Sequence, residues 1–207
     1  MTGLPLFALQ AVLFPGGLLH LKVFEARYLD LVSHCLREHS PFGVVCLAQG
    51  SEVRQTARPA AAAEVRLESI GVLAHLQDVD AEQPGILRVR CIGAERFALA
   101  APRQRGDGLW LADAQLLAAD EPAAVPPELA PTRAALANAI ESLQGQGHQP
   151  FAEPFDLDDA GWVANRWCEL LPIPLPAKQR LMALDEPALR LQLVDEFLRT
   201  KGVIQQA

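Results

Sequence analysis

The apolar stretch "LPLFALQAVLFPGGLLHLKVFEARY", residues 4–28, is broken at Gln10, Pro15, Gly16, Gly17 and His20, and the breaks define its elements. They predict a strand from Leu4 to Leu9, a second extended piece from Ala11 to Phe14, a turn at Pro15-Gly16-Gly17 and a strand from Leu18 to Lys22. From Phe24 the period lengthens. Apolar side chains at Phe24, Tyr28, Leu31, Val32, Cys35 and Leu36 predict an amphipathic helix docked on a core, ending near Ser40-Pro41. A Pro-Gly-Gly triplet breaks any helix of the roughly 20 residues a membrane span needs. The first cation, Lys22, follows the apolar run, whereas an export signal carries its charge in front. The stretch is therefore expected to open a folded, cytoplasmic domain.

Strand signals dominate from there to Leu117. "FGVVCLA" (42–48) is apolar on both faces, as in a fully covered strand, and "QGSEVRQTARPAAAAE" (49–64) reads as a long exposed loop. In "VRLESIGVLAHLQDVD" (65–80) the inward phase slips by one at Ser69-Ile70-Gly71, which predicts a bulge or sharp bend. "GILRVRCIG" (85–93) alternates, with Arg88 and Arg90 on one face and Leu87, Val89 and Cys91 on the other. A turn is expected at "GAER", then "RFALAAP", then a last strand from Leu109 to about Leu117. Many short strands with one early helix predict a small bent barrel or pair of sheets rather than a βαβ array.

The pattern changes in "AADEPAAVPPELAP" (118–131), which is rich in Pro and Ala. We expect a β-rich part over 1–118, a linker over 119–131 and a helical part over 132–207. "TRAALANAIESLQGQG" predicts a helix stopping at Gly145 or Gly147. Trp162, Val163, Arg166, Trp167, Leu170 and Leu171 form a 3.6-period stripe ended by Pro172, preceded by acidic residues suited to cap it, Asp156, Asp158 and Asp159. A short helix with Pro176 near its start follows, then a longer one in which Asp185 can cap and Leu189, Leu193, Val194 and Phe197 are expected to face inward.

Composition narrows the function classes. With 207 residues, half of them hydrophobic, the chain can bury a sizeable core. Its formal charge of −7 and pI near 5.2 argue against a nucleic-acid surface, which concentrates Lys and Arg. Cys35, Cys46, Cys91 and Cys168 are scattered in apolar runs without a C-x-x-C pair, as expected of buried thiols in a reducing compartment. Cys35 and His39 lie one helical turn apart with His34 adjacent, but two ligands are too few for zinc, so no metal site is expected. No G-x-S-x-G or comparable nucleophile signature occurs, and no catalytic residue or cofactor is assigned.

The L-F-P-G turn followed by F-E-x-R-Y, within "LPLFALQAVLFPGGLLHLKVFEARYLDLV", resembles the opening of the Lon N-terminal domain. "IGVLAHLQDVD", "GILRVRCIGAERFAL" and "WVANRWCELLPIPLPAKQRLMALDEPALRLQLVDEFL" are similar to later segments of that family in the same order, so the resemblance covers nearly the whole chain. It implies an α+β fold, a PUA-like β pseudo-barrel with one early helix followed by an α-helical bundle. It also implies the role by which Lon proteases engage substrates. The phosphate-cradling G-x-x-x-x-G-K-[ST] of the Lon ATPase is absent, as is room for the protease domain, so the resemblance is to a stand-alone substrate-binding domain.

The leading expectation is a non-enzymatic module that binds unfolded or extended segments of other proteins, through the β-rich part or the groove between the two parts. Phe14 and Pro15 can present apolar side chains from the turn, or Phe14 can close the barrel. Trp162 and Arg166, one turn apart, can form a peptide-contacting ledge, or pack beside Trp167 between domains. Glu25 and Arg27, two apart, do not face one another within a helix and so are expected to tether the first turn to neighbouring loops. An RNA-binding role of the PUA-like fold and an enzyme or small-molecule site assembled only in three dimensions are the alternatives. The partner and oligomeric state are left open.

Overall fold

Backbone pairing in a computed structural model, which describes residues 1–50 and 65–204, resolves the β-rich part into a closed ring of strands. The chain divides into two compact units, Met1–Ala118 and Ala119–Ala207. The first holds β1 (Leu4–Leu9), β2 (Leu18–Val23), α1 (Ala26–Glu38), β3 (Phe42–Gln49), β4 (Arg66–Leu67), β5 (Ile70–Gln83), β6 (Ile86–Gln104) and β7 (Trp110–Leu116). The ring runs β1-β7-β6-β5-β3 and closes through a parallel β1–β3 pair, with every other pairing antiparallel. β4 extends the ring at β3, and β2 pairs with β6. The α+β fold with a pseudo-barrel and one early helix is thus observed, and closure removes most open strand edges.

Leu4, Leu6, Val45, Leu73, Phe97, Ala112 and Ala114 fill the ring. Phe97 lies opposite Gly71 in the β5–β6 register, its Cζ only 2.7 Å from where a Cβ on Gly71 would sit. A side chain there would displace the largest residue of the cluster. The register of β5 slips between Val72 and Ala74, again between Leu76 and Asp78, and again between Ala81 and Gln83. The bend expected at Ser69-Ile70-Gly71 therefore falls a little further along.

The turn expected at "GAER" does not form: β6 runs unbroken for 19 residues through Gly93-Ala94-Glu95-Arg96. The extra residue in that stretch is absorbed as a bulge opposite β5, which bends the strand instead of reversing it. What holds β6 there is the Phe14-Pro15-Gly16-Gly17 turn. Gly17 N–H donates to the Phe14 carbonyl at 2.9 Å and Gly16 takes φ 71°, the type II arrangement with Pro at the second position and Gly at the third. Gly16 N–H donates to the Gly93 carbonyl at 2.8 Å, and Gly93 N–H returns a bond to Gly17 O at 2.9 Å. The contact is so close that a Cβ on Gly93 would meet the Phe14 carbonyl oxygen at 2.3 Å. Residues 11–14, expected to be extended, adopt no strand pairing, and Leu13 and Phe14 are buried.

In the second unit a single 3₁₀ turn, Pro127–Leu129, leads into α2 (Ala130–Gly145), followed by α3 (Ala160–Leu170), α4 (Leu175–Ala183) and α5 (Pro187–Thr200). Helix α2 begins two residues before Thr132, and the Pro/Ala-rich stretch before it is held in place: Ala123 N–H donates to Asp159 Oδ2 at 3.0 Å. The other Asp159 oxygen caps α3 by accepting from Trp162 N–H at 2.7 Å. Asp185 does not cap α5; Glu186 occupies that position without a side-chain cap.

The inward face of α5 also differs from the periodic expectation. Leu189 and Leu193 are exposed and Phe197 is only partly covered, whereas Arg190, Leu191, Val194, Asp195 and Leu198 are buried. Polar partners decide this. Arg190 donates to Asp120 (2.6 Å), Asn165 Oδ1 (3.0 Å) and the carbonyls of Leu181 (2.8 Å) and Leu184. Asp195 accepts from Thr132 Oγ1 and pairs with Arg199 at 2.6 Å. Burying these groups fully bonded turns the leucines outward. Among the described residues no helix is long and apolar enough to cross a membrane.

Replacing Gly93 by Ala is expected to destabilise the barrel by about 2–3 kcal/mol, because backbone rather than a flexible side chain must give way. Gly106→Ala, which meets nothing within 4 Å, is expected to stay within about 0.5 kcal/mol of the parent in the same urea titration.

Candidate functional site

The F-E-x-R-Y residues organise one end of the first unit. Glu25 lies outside α1, in extended backbone at its N-cap, so its carboxylate reaches Arg27 Nη2 at 2.9 Å although only one residue intervenes. The expectation that the two cannot meet assumed that both were helical. Arg27 is buried, donates through Nη1 to the Gly108 carbonyl at 2.7 Å and lies 4.6 Å from the Tyr28 ring centroid. Tyr28 stacks on Phe7 with centroids 3.8 Å apart and planes at 9°. These contacts fasten the start of α1 to β1 and to the β6–β7 turn.

Phe24 is left over. Because the helix starts two residues later, its ring is 53% exposed rather than docked in the core. It borders a slot of about 170 Å³ lined by Phe7, Ala8 and Leu9 on one side and by His20 to Glu25 with Tyr28 on the other. Both walls are strand edges. β7 leaves β1 after Leu6, and among the described residues β2 pairs only with β6. Unpaired edges expose backbone donors and acceptors that an extended chain can satisfy.

A second cavity of about 500 Å³ adjoins the slot and shares His20, Leu21 and Lys22 with it. It spreads over the outer face of the β2-β6-β5 ribbon. Register sets the side chains in rows: His20 beside Arg90 beside Asp78, and Lys22 beside Arg88 beside Asp80. Alternation put Arg88 and Arg90 on one face in the sequence, but their cross-strand partners needed the register.

Phe14, expected at a binding surface or in the barrel, is fully buried, and Pro15 beside it is half-buried. Trp162 is half-buried and packs on Phe151 and Phe155, each with centroids 5.9 Å away. Arg166 is fully buried, 5.8 Å from the Trp162 ring and 5.4 Å from that of Phe151, and pairs with Glu169 at 3.2 Å. The Trp162–Arg166 ledge thus exists as a cation–π contact, but its guanidinium is not presented to solvent. Phe14 and Pro15 belong to one unit and Trp162 and Arg166 to the other. Phe24, His20 and Lys22, which line the slot, were not singled out as candidates from the sequence; the available signal was the polar alternation of His20 and Lys22 through an otherwise apolar strand.

The thiols carry no activated nucleophile. All four are buried and outside disulfides, and burial pushes Cys91 and Cys168 up to about 12. His39 ends α1 in the left-handed region at φ 50°. Among the described residues no three His, Cys, Asp or Glu side chains gather as a metal site.

The sequence pattern of the ATP-dependent protease La (LON) substrate-binding domain matches residues 3–200. The chain belongs to that family. A crystal structure of a Lon N-terminal domain protein from Xanthomonas campestris superposes with a TM-score of 0.72 at 31% identity, covering 95% of this chain and 99% of that one. The N-terminal domain of the Mycobacterium avium complex Lon protease shares the fold, with a TM-score of 0.61 over 94% and 97% of the two chains at 12% identity. A search of curated proteins returned no match. The LON substrate-binding domain is a substrate-recognition module.

One further group of this LON substrate-binding domain is titratable near neutrality. Burial raises the Glu169 carboxyl from 4.5 to about 7, against the opposing charges of Arg166 and Lys178. The folded state therefore holds this proton more tightly than the unfolded chain. The associated stability is fully present below about pH 4.5 and is lost as the pH rises through about 7. Urea midpoints followed by tryptophan fluorescence should fall between about pH 5 and about pH 8, and Glu169→Gln should flatten that fall.

Proposed function

We propose that this LON substrate-binding domain retains extended segments of other proteins, anchored by an apolar side chain in the slot between β1 and β2. The observation that carries the reading is the pair of open strand edges flanking an apolar slot beside the exposed ring of Phe24. A strand-like occupant suits it because backbone groups supply hydrogen bonds irrespective of sequence, while the slot selects a side chain. At about 170 Å³ the slot suits one apolar side chain, and the adjoining cavity of about 500 Å³ leaves room beside it for the chain that carries it. Burial, which raises Cys91 and Cys168 to about 12, keeps these two thiols from acting as nucleophiles at neutral pH.

Fluorescence anisotropy of a labelled, permanently unfolded polypeptide tests this, with the same polypeptide's native form as control. Saturable binding of the unfolded form alone is expected. Phe24→Asp should weaken it about ten-fold, whereas Leu36→Asp, another exposed apolar position, on α1, should leave it unchanged. Equal affinity in both variants would remove the slot from the reading, and retention of neither form would remove the reading itself.

A further inference from the structure

We propose that two copies of this chain associate through α5, antiparallel about a two-fold axis at Leu193, with Glu186 of each copy beside Lys201 of the other. This face lies on the second unit and is independent of the slot. Helix α5 turns Arg190, Leu191, Val194, Asp195 and Leu198 inward, which leaves Leu189 and Leu193 exposed at 38% and 40%. With the partly covered Phe197 they form a row, each four residues from the next, along one side of the helix. A leucine exposed singly is ordinary, but a continuous row of three large apolar side chains is a surface that gains from being covered.

The charges at the two ends of the row select what covers it. Glu186 is exposed at the N-cap, where its side chain makes no capping bond, and Lys201 is exposed at the C-cap with Nζ 5.6 Å from the Phe197 ring centroid. Arg199, the nearest other cation on the helix, is already engaged by Asp195 at 2.6 Å. A parallel copy would set like charge on like, whereas an antiparallel copy sets each acidic end on a basic one. About Leu193, positions equally distant on either side come level. Leu193 then meets its own counterpart, Leu189 meets Phe197, and Glu186 comes within one turn of Lys201. At about 3.6 residues per turn Glu186, Phe197 and Lys201 fall on the same flank of the row, and the two-fold axis keeps that flank common to both copies. On the other flank Glu196 comes between Leu189 and Gln192 of the second copy, which are uncharged. A single helix pair buries less than about 1,200 Å², the range of weak and transient contacts, so half-association on the order of 0.1 mM is expected.

Sedimentation equilibrium of the full chain tests this, at about 0.05 M salt so that the end charges are felt. A monomer–dimer equilibrium is expected. Leu193→Asp, which sets two carboxylates on the axis, should abolish it, and Leu36→Asp on α1 should not; both positions are exposed, so circular dichroism should show each variant folded. Glu186→Lys alone and Lys201→Glu alone should each weaken association about five-fold, and the two together should restore it. Leu193→Cys should give a disulfide-linked dimer in oxidised glutathione, whereas the parent, whose four cysteines are buried, should not. A chain that stays monomeric in every condition would overturn the proposal. Association that survives Leu193→Asp would place the contact elsewhere than α5, and a double reversal that fails to restore it would overturn the antiparallel pairing.

Discussion

Two hydrogen bonds between the Pro-Gly-Gly turn and Gly93 settle where the outer ribbon of the first unit can form. Without a Cβ, Gly93 lets the Phe14 carbonyl come closer than any side-chain-bearing residue would permit, and the turn in turn delivers Leu18 opposite Ile92. From that point β2 has its register along β6 set for all six residues. Phe14 is the anchor of this arrangement. Its complete burial resists any sliding of the turn along β6, because a one-residue slip would also flip every β2 side chain to the other face.

The consequence reaches the slot. Only with β2 held on β6, and not on β1, does a gap open between the edge of β2 and Phe7–Leu9. The start of α1 closes one end of that gap through Tyr28 on Phe7, and the Glu25–Arg27–Gly108 chain prevents the helix from swinging away. Well-packed elements thus shape the slot, with the exposed Phe24 ring at its border. A preformed edge of this kind loses little ordering entropy on binding, which leaves most of that loss to the incoming segment.

Much of this architecture was legible in period and punctuation. Strand β1, the turn, α1 and the helical second unit all follow from apolar spacing and from Pro and Gly. What escaped was non-local. The continuation of β6 through "GAER" depends on a bulge opposite β5, and nothing within those four residues announces it. Leu189, Leu193 and Phe197 have the spacing of a buried stripe, yet the face of α5 is chosen by Arg190, whose partners lie on Asp120, α3 and the end of α4. A fully bonded guanidinium outweighs the burial of two leucines, and its partners are as many as 70 residues away. Phe24 escaped for a smaller reason: one early turn of helix was assumed where Glu25 is an extended cap.

The position of β1 bears on how the chain is made. Within the ring it is the strand made earliest, yet it lies between β3 and β7, with Leu6 opposite Gly43 on one side and Leu4 opposite Ala112 on the other. The ring therefore cannot close until β7, about a hundred residues after β1, has been synthesised. At about 5–20 residues per second that is a delay of roughly ten seconds, during which "LPLFAL" is an apolar strand without its final neighbour. Until β7 arrives, the exposed edge of that strand is open to mispairing, so the order of synthesis itself constrains how this fold is reached.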